Sequence, residues 1–343
     1  MKKIVKTAIL FSSLFFSFLL EAAPFGYVTN NQSNTVSVID LKTNQIVKNI
    51  PVGQFHVGVV LSENQKFVYV ANFSSYSISV IKTSSNEVVK SITVPLNPLF
   101  LALSPDQQQL WVPGHQNPGY VYVINLADDT YQTISGFADP SAIAFTPDGK
   151  KVYVGQSNSI NILNVENFAI EAVVPLESAF PFSIALNTKG SAYVTLSSGQ
   201  VGYVDPDTTV FQLIPYSGAD PEFIAITPDN KYAYVTDNGN QVGPYYVSRI
   251  DLATNLVDAG FIEVGNAPVG IAISVDGQYA YVCNSTSDSI SVIDLKTNTV
   301  CATITGSGSG GFGFPVLIAL PTRQFTVQEG MLWFNPVNYQ GGF

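Results

Sequence analysis

The chain has 343 residues, 46% of them apolar and 12% charged, with a net charge of −10 and only two arginines, Arg249 and Arg323. That is ample for a sizeable core, and an acidic, arginine-poor surface repels phosphate backbones, so nucleic acid and phosphorylated substrates are poor partners. The 26 Gly and 20 Pro, among many Val, Ile, Tyr, Phe, Ser, Thr and Asn, favour short strands joined by turns over helices.

The N-terminus reads MKKIVKTAILFSSLFFSFLLEAAPF. Lys2, Lys3 and Lys6 precede a 13-residue apolar stretch, Ala8 to Leu20, and then the small residues Ala22 and Ala23. This pattern predicts a signal peptide over 1–22, and so an exported protein, periplasmic or extracellular at the cell surface. The stretch is shorter than the ~20 residues of a spanning helix, although an uncleaved anchor is the alternative. No cysteine follows it to carry a lipid, and no later segment reads as membrane-spanning. Removing 1–22 leaves 12 basic against 24 acidic side chains.

From residue 27 the chain rewrites one short strand: YVTN (27–30), YVAN (69–72), then Trp111-Val112, Tyr153-Val154, Tyr193-Val194 and Tyr234-Val235, and last YVCN (281–284). The spacings are 42, 42, 42, 40, 41 and 47 residues. Before each copy stands a short apolar segment such as IAF (143–145) or IAI (224–226), and a turn such as TPDG (146–149). After it come a polar loop, a strand such as TVSVIDL (35–41), a KTN or ATN turn, and a closing strand such as IVKNIPV (46–52). Four antiparallel strands per ~42 residues predict a β-propeller blade, whose faces are buried only against neighbouring blades. Alternation in TVSVIDL assigns Val36, Val38 and Leu41 to one face and the serine and aspartate to the other. The chain enters on a second strand and ends its repeats with a spare first strand, PVLIAL (315–320). The prediction is an all-β, seven-bladed propeller over 24–321, four antiparallel strands per blade, with the C-terminal strand joining the N-terminal blade.

These repeats, strongest in YVTNNQSNTVSVIDLKTN, YVANFSSYSISVIKTSSN and YVCNSTSDSISVIDLKTN, resemble the YVTN-type β-propeller repeat family, found also in archaeal surface-layer proteins and bacterial periplasmic propellers. The resemblance covers about 25–320. It implies the fold, and for function a range from binding and scaffolding to lactone hydrolysis, lyase and redox roles. Blade three departs with WVPGHQNPGY and blade six with the longer loop DNGNQVGPYYVS.

Naming the strands of a blade a to d from the channel outward, the d–a and b–c loops share one face. A proline marks the start of strand a in six blades (Pro98, Pro140, Pro181, Pro221, Pro268 and Pro315), and His56 replaces it in the seventh. The expected channel mouth therefore gathers His56, Phe55, Asn97, Asp139, Phe180, Asp220, Glu222 and Phe314. The b–c loops add Phe73, Tyr76, His115, Asp237, Tyr245, Tyr246 and Asp288. Such a set makes a ligand pocket with apolar walls and a few polar groups. In a sharper version His56, Asp139, Asp220 and Glu222 hold a divalent metal or act as acid and base. Equally, Asp139 and Asp220 are ordinary turn formers before proline.

Other motifs carry less. GSGSGGFGF (306–314) lacks the GK[ST] and helix of a phosphate loop and reads as a linker. No CxxCH, GxSxG or HExxH occurs, and the chain has two histidines in all. Cys283 and Cys301, on strands b and d of one blade, fall roughly 10 Å apart, beyond bridging distance, so two free, mostly buried thiols are expected. The aromatic tail 322–343 is expected to pack on the closure seam; alternatively Trp333 and Phe334 meet a partner. The functional expectation is a monomeric, cofactor-free binding or scaffold protein for a protein, peptide, glycan or envelope component. A metal-assisted lactonase or lyase and a surface-layer or adhesin module are the alternatives.

Overall fold

The computed structural model describes residues 25–177, 179–306 and 315–321. Residues 1–22, read from the sequence as a signal peptide, Phe314 and the aromatic tail lie outside them. The described residues form seven four-stranded antiparallel sheets. Blade one takes Phe25–Asn30, Thr35–Asp40 and Gln45–Pro51 as strands b, c and d, and Pro315–Ala319 as strand a. Tyr27 pairs with Ala319, Val28 with Ile318 and Thr29 with Leu317, so the two ends of the sequence close the ring. Blade two runs consecutively through His56–Leu61, Phe67–Asn72, Ser77–Lys82 and Glu87–Thr93. Later blades repeat this order, ending with Pro268–Ile273, Tyr279–Asn284, Ser289–Asp294 and Thr299–Thr305 in blade seven. Strand a opens on His56 or the repeat proline in blades one, two, five, six and seven. In blade three it shrinks to Ala102–Leu103, with Pro98 bridged to Gly114. In blade four it is Ile143–Phe145.

The recurring Tyr-Val-Thr-Asn has a separate bond for each polar place. Tyrosine ties its blade to the next: the hydroxyls of Tyr27, Tyr193 and Tyr234 donate to Oδ1 of Asn86, Asn255 and Asn298 at 2.8, 2.8 and 2.7 Å. Those asparagines sit in c–d turns with φ of 51°, 55° and 54°, the left-handed region asparagine tolerates. Valine is core; Val28, Val70, Val235 and Val282 have no exposure. Threonine reaches strand a of the next blade: Thr29, Thr195 and Thr236 donate to the carbonyls of Val57, Glu222 and Val269. Asparagine fastens its own blade: Nδ2 of Asn30, Asn72 and Asn284 each donates to two hydroxyls of strand c. A strand carrying both kinds of link is worth repeating, because each copy satisfies buried polar groups that strand pairing leaves over.

The inside-outside division expected for TVSVIDL does not hold. Ser37 is as buried as Val36 and Val38, and Ile39 is buried too, while Leu41 is half-buried. Blades stack face to face, so both faces of strand c are interior, and Ser37 is satisfied by Asn30 Nδ2 (2.8 Å) and Asn49 Oδ1 (2.7 Å). Exposure concentrates on the outer d strands instead, as at Val89, Val173 and Leu213. The cysteines are free as expected, but only Cys283 is buried; Cys301, on an outer strand, is exposed.

Candidate functional site

In blades two to seven the d–a loop entering the blade is bonded to the b–c loop of that blade. The amides of Phe73, His115, Asn238 and Ser285 donate to the carbonyls of Phe55, Asn97, Asp220 and Ala267 at 2.8–3.1 Å. Asn97 Nδ2 further donates to the Phe73 carbonyl, at 3.0 Å, across neighbouring blades. Among the described residues the two loop sets therefore lie together around the entrances of the innermost strands. Left-handed backbone occurs on this face as it does in the turns of the opposite one. Phe55, Tyr76, Asp139, Ala267 and Asp288 all have φ near +50°, unusual for residues with a side chain and especially for aromatic ones.

His56 lies beneath this face, fully buried. Its Nε2 accepts from the Asn30 amide at 2.9 Å and lies 2.8 Å from the Thr35 carbonyl; Nδ1 lies 3.3 Å from the Gly53 carbonyl. The neutral Nδ1–H tautomer fits the Asn30 and Gly53 contacts. Burial lowers its pKa to about 4, only partly opposed by the Gly53 and Thr35 carbonyls. His56 thus anchors strand a of blade two to the b–c turn of blade one.

Above it the rings predicted for the mouth do meet. Phe55 packs on Phe73 (centroids 5.8 Å apart), Phe73 on His115 (6.4 Å), His115 on Phe180 (6.1 Å) and Phe180 on Phe182 (6.1 Å). This arc reaches from blade two to blade five. Phe55, Phe73, His115 and Phe180 are half-buried, and Tyr76 beside them is 46% exposed. Burial also lowers the pKa of His115, against the charge of Asp139. Asp139 itself accepts from Ser157 Oγ at 3.3 Å.

Three carboxylates, Asp220, Glu222 and Asp237, cluster on blade six. Here the motif reads YVTD, and Asp237 takes the place of the blade-fastening asparagine. A carboxylate only accepts, so its partners must be donors. They are Tyr216 Oη at 2.9 Å, the Gly239 amide at 2.9 Å and the Asp220 amide at 3.2 Å. A Cβ on Gly218 would stand 1.9 Å from Asp237 Oδ2, so only glycine lets the loop close over the carboxylate. Asp237 and Glu222 are fully buried, and Glu222 accepts from Asn238 Nδ2 at 3.2 Å. Asp220 is half-buried; burial, then the charge of Asp237, raises its pKa to about 6. Tyr246 is buried against Phe261, with centroids 4.3 Å apart, and Tyr245 is half-buried. Among the described residues no group of three or more His, Cys, Asp or Glu is placed to hold a metal ion.

Sequence reasoning passed over two members of this face: Tyr216 and Asn238. The change from asparagine to aspartate at 237 was the available signal for Tyr216, since a buried carboxylate needs extra donors nearby.

No protein-family model matches the chain, and no characterised protein matches it in sequence. Solved structures match in fold. A functionally unknown protein from Desulfotomaculum acetoxidans DSM 771 is 14% identical, with a TM-score of 0.73 over 88% of this chain and 99% of that one. A candidate 6-phosphogluconolactonase from Bacteroides uniformis is 16% identical, with a TM-score of 0.70 over 87% and 99%. Hydrazine synthase from Kuenenia stuttgartiensis is 19% identical, with a TM-score of 0.63 over 70% and 77%. At these identities the likeness is one of fold: the chain is a seven-bladed β-propeller.

Proposed function

We propose that this is an exported, non-catalytic propeller of the YVTN-repeat kind, which as a monomer binds a protein or peptide of the cell envelope through its d–a/b–c loop face. The aromatic arc from Phe55 to Phe182 carries the reading. Partly exposed rings held on a rigid scaffold are how interfaces concentrate binding energy, and here Phe55, Phe73, His115 and Phe180 are partly exposed, with Phe182 buried against Phe180. The enclosure of His56 by backbone groups of Asn30, Thr35 and Gly53 supports a positioning role for it over a metal-binding one.

The test compares photo-crosslinked capture from an envelope extract by the wild type, by Phe73→Ala/Phe180→Ala, and by Lys189→Ala/Lys231→Ala on the opposite face. A specific partner is expected with the wild type and the lysine variant. Loss of two anchoring rings should weaken its capture at least roughly thirtyfold. Identical capture by all three would overturn the reading. So would metal-dependent turnover of a lactone panel that disappears in His56→Ala.

A further inference from the structure

Both faces of the ring carry carboxylates, but loop lysines are confined to one of them; the a–b and c–d turns pair their acids, such as Glu63, Asp148 and Asp229, with lysines. No Lys or Arg occurs in any of the described d–a or b–c loops. Lysines in loops all lie in a–b or c–d turns, as at Lys42, Lys66, Lys150, Lys189, Lys231 and Lys296. The aromatic face instead carries Asp139, Glu177, Asp220, Glu263 and Asp288, all at least partly exposed, over buried Glu222 and Asp237. Neither histidine offsets them, because burial holds His56 and His115 neutral at pH 7.

Resting on the function proposed above, we infer that the partner segment seated on this face is cationic: a stretch of polypeptide bearing several Lys or Arg residues. Two features select it. A face of one sign with no internal countercharge attracts the opposite sign and rejects its own. Aromatic rings beside carboxylates suit ammonium and especially guanidinium groups, which stack on ring faces while pairing with carboxylates. The rings run from blade two to blade five. The exposed carboxylates run from the loop entering blade four round to blade seven. That span suits a chain with several cations better than a single small amine.

The probe is a fluorescein-labelled nine-residue peptide of alternating Lys, Arg and Ser, read by anisotropy at low and high salt. A peptide with Gln in place of each cation is the control, and spermine the competitor. Glu177→Gln/Glu263→Gln/Asp288→Asn removes three charges from this face. Glu63→Gln/Glu166→Gln/Asp207→Asn removes three from the opposite face, leaving the same net charge. The cationic peptide should bind more tightly than its control and lose affinity with salt. Its affinity should fall by roughly tenfold in the first variant, hold in the second, and fall in Phe73→Ala/Phe180→Ala. Equal loss in both charge variants, unchanged binding in the aromatic variant, equal binding of the Gln peptide, or displacement by equimolar spermine would each overturn the inference. The envelope capture separates the two levels. Capture lost in Phe73→Ala/Phe180→Ala but indifferent to the Glu177 variant leaves the face standing and removes the cationic partner; capture indifferent to both removes both.

Discussion

Two titrating side chains at the mouth pull the stability of the ring in opposite directions. His56 is neutral in the fold until about pH 4, whereas an unfolded histidine takes its proton near about pH 6.5. Its stabilising contribution is therefore complete above pH ~6.5 and is lost as pH falls towards 4, by up to about 3 kcal/mol. Asp220 works the other way. Its folded pKa of about 6 exceeds the unfolded value, so what it adds is present below pH ~4 and is lost as pH rises through 6. Half in water and screened, it contributes on the order of 1 kcal/mol. Asp148, held low by the Thr146 hydroxyl, loses its contribution only below the His56 window. Urea unfolding from pH 7 to 4.5 should show the wild type weakening, with Asp220→Asn more stable at pH 7 and declining more steeply. Parallel curves for the two would remove Asp220 from the account. His56 was legible as an anomaly, a histidine where six copies have proline. Its enclosure was not, because the groups that surround it belong to the backbone and leave no residue signature.

At the scale of strands, the period of the repeat was legible and its bonding was not. Tyrosine before valine marked every copy but the third, and the reason lies in another blade. In the c–d turn of blade four, Phe168 occupies the left-handed place that asparagine holds in blades one, two, six and seven, and Asp129 and Thr209 in blades three and five, with φ of 62°. A tyrosine hydroxyl facing a phenyl ring would be buried unsatisfied, and blade three carries Trp111 instead. Its indole packs edge-on against Phe168 and Phe145, each at 5.5 Å, and donates to Gln109 Oε1 at 3.0 Å. The two departures are one event, seen only when blades are placed side by side. Trp111→Tyr and Phe168→Asn should each destabilise, and together they should rebuild the Tyr234–Asn298 kind of bond. A double-mutant cycle by thermal or urea unfolding should return a favourable coupling of about 1 kcal/mol or more. Strictly additive effects would mean that the two sites do not communicate.

For the whole molecule the decisive contact joins residues nearly three hundred positions apart. Closure was legible because the sequence starts its repeats on strand b and ends them on an unmatched apolar segment. The confinement of loop lysines to one face was equally present in the sequence, but it emerges only once loops are sorted by face. Residues Val316, Leu317, Ile318 and Ala319 are fully buried, and strand b of blade one has no other inner neighbour. Ending the chain after Gly306 would strip that cover from Tyr27 and Val28 and leave an open edge beside blade seven. Burying Val, Leu and Ile side chains stabilises by about 1.5–3 kcal/mol each, so losing three, with their backbone pairing, approaches the 5–15 kcal/mol that holds a typical domain together. The truncated chain should therefore lose its single cooperative calorimetric transition and become open to protease near residues 25–40. A chain ended after Pro321 keeps the strand and should keep the transition. If the shorter chain melts as cooperatively and nearly as high as the longer one, the strand is a cover and not a lock. The interblade bonds of Tyr27, Thr29 and their repeats would then have to hold an open ring by themselves.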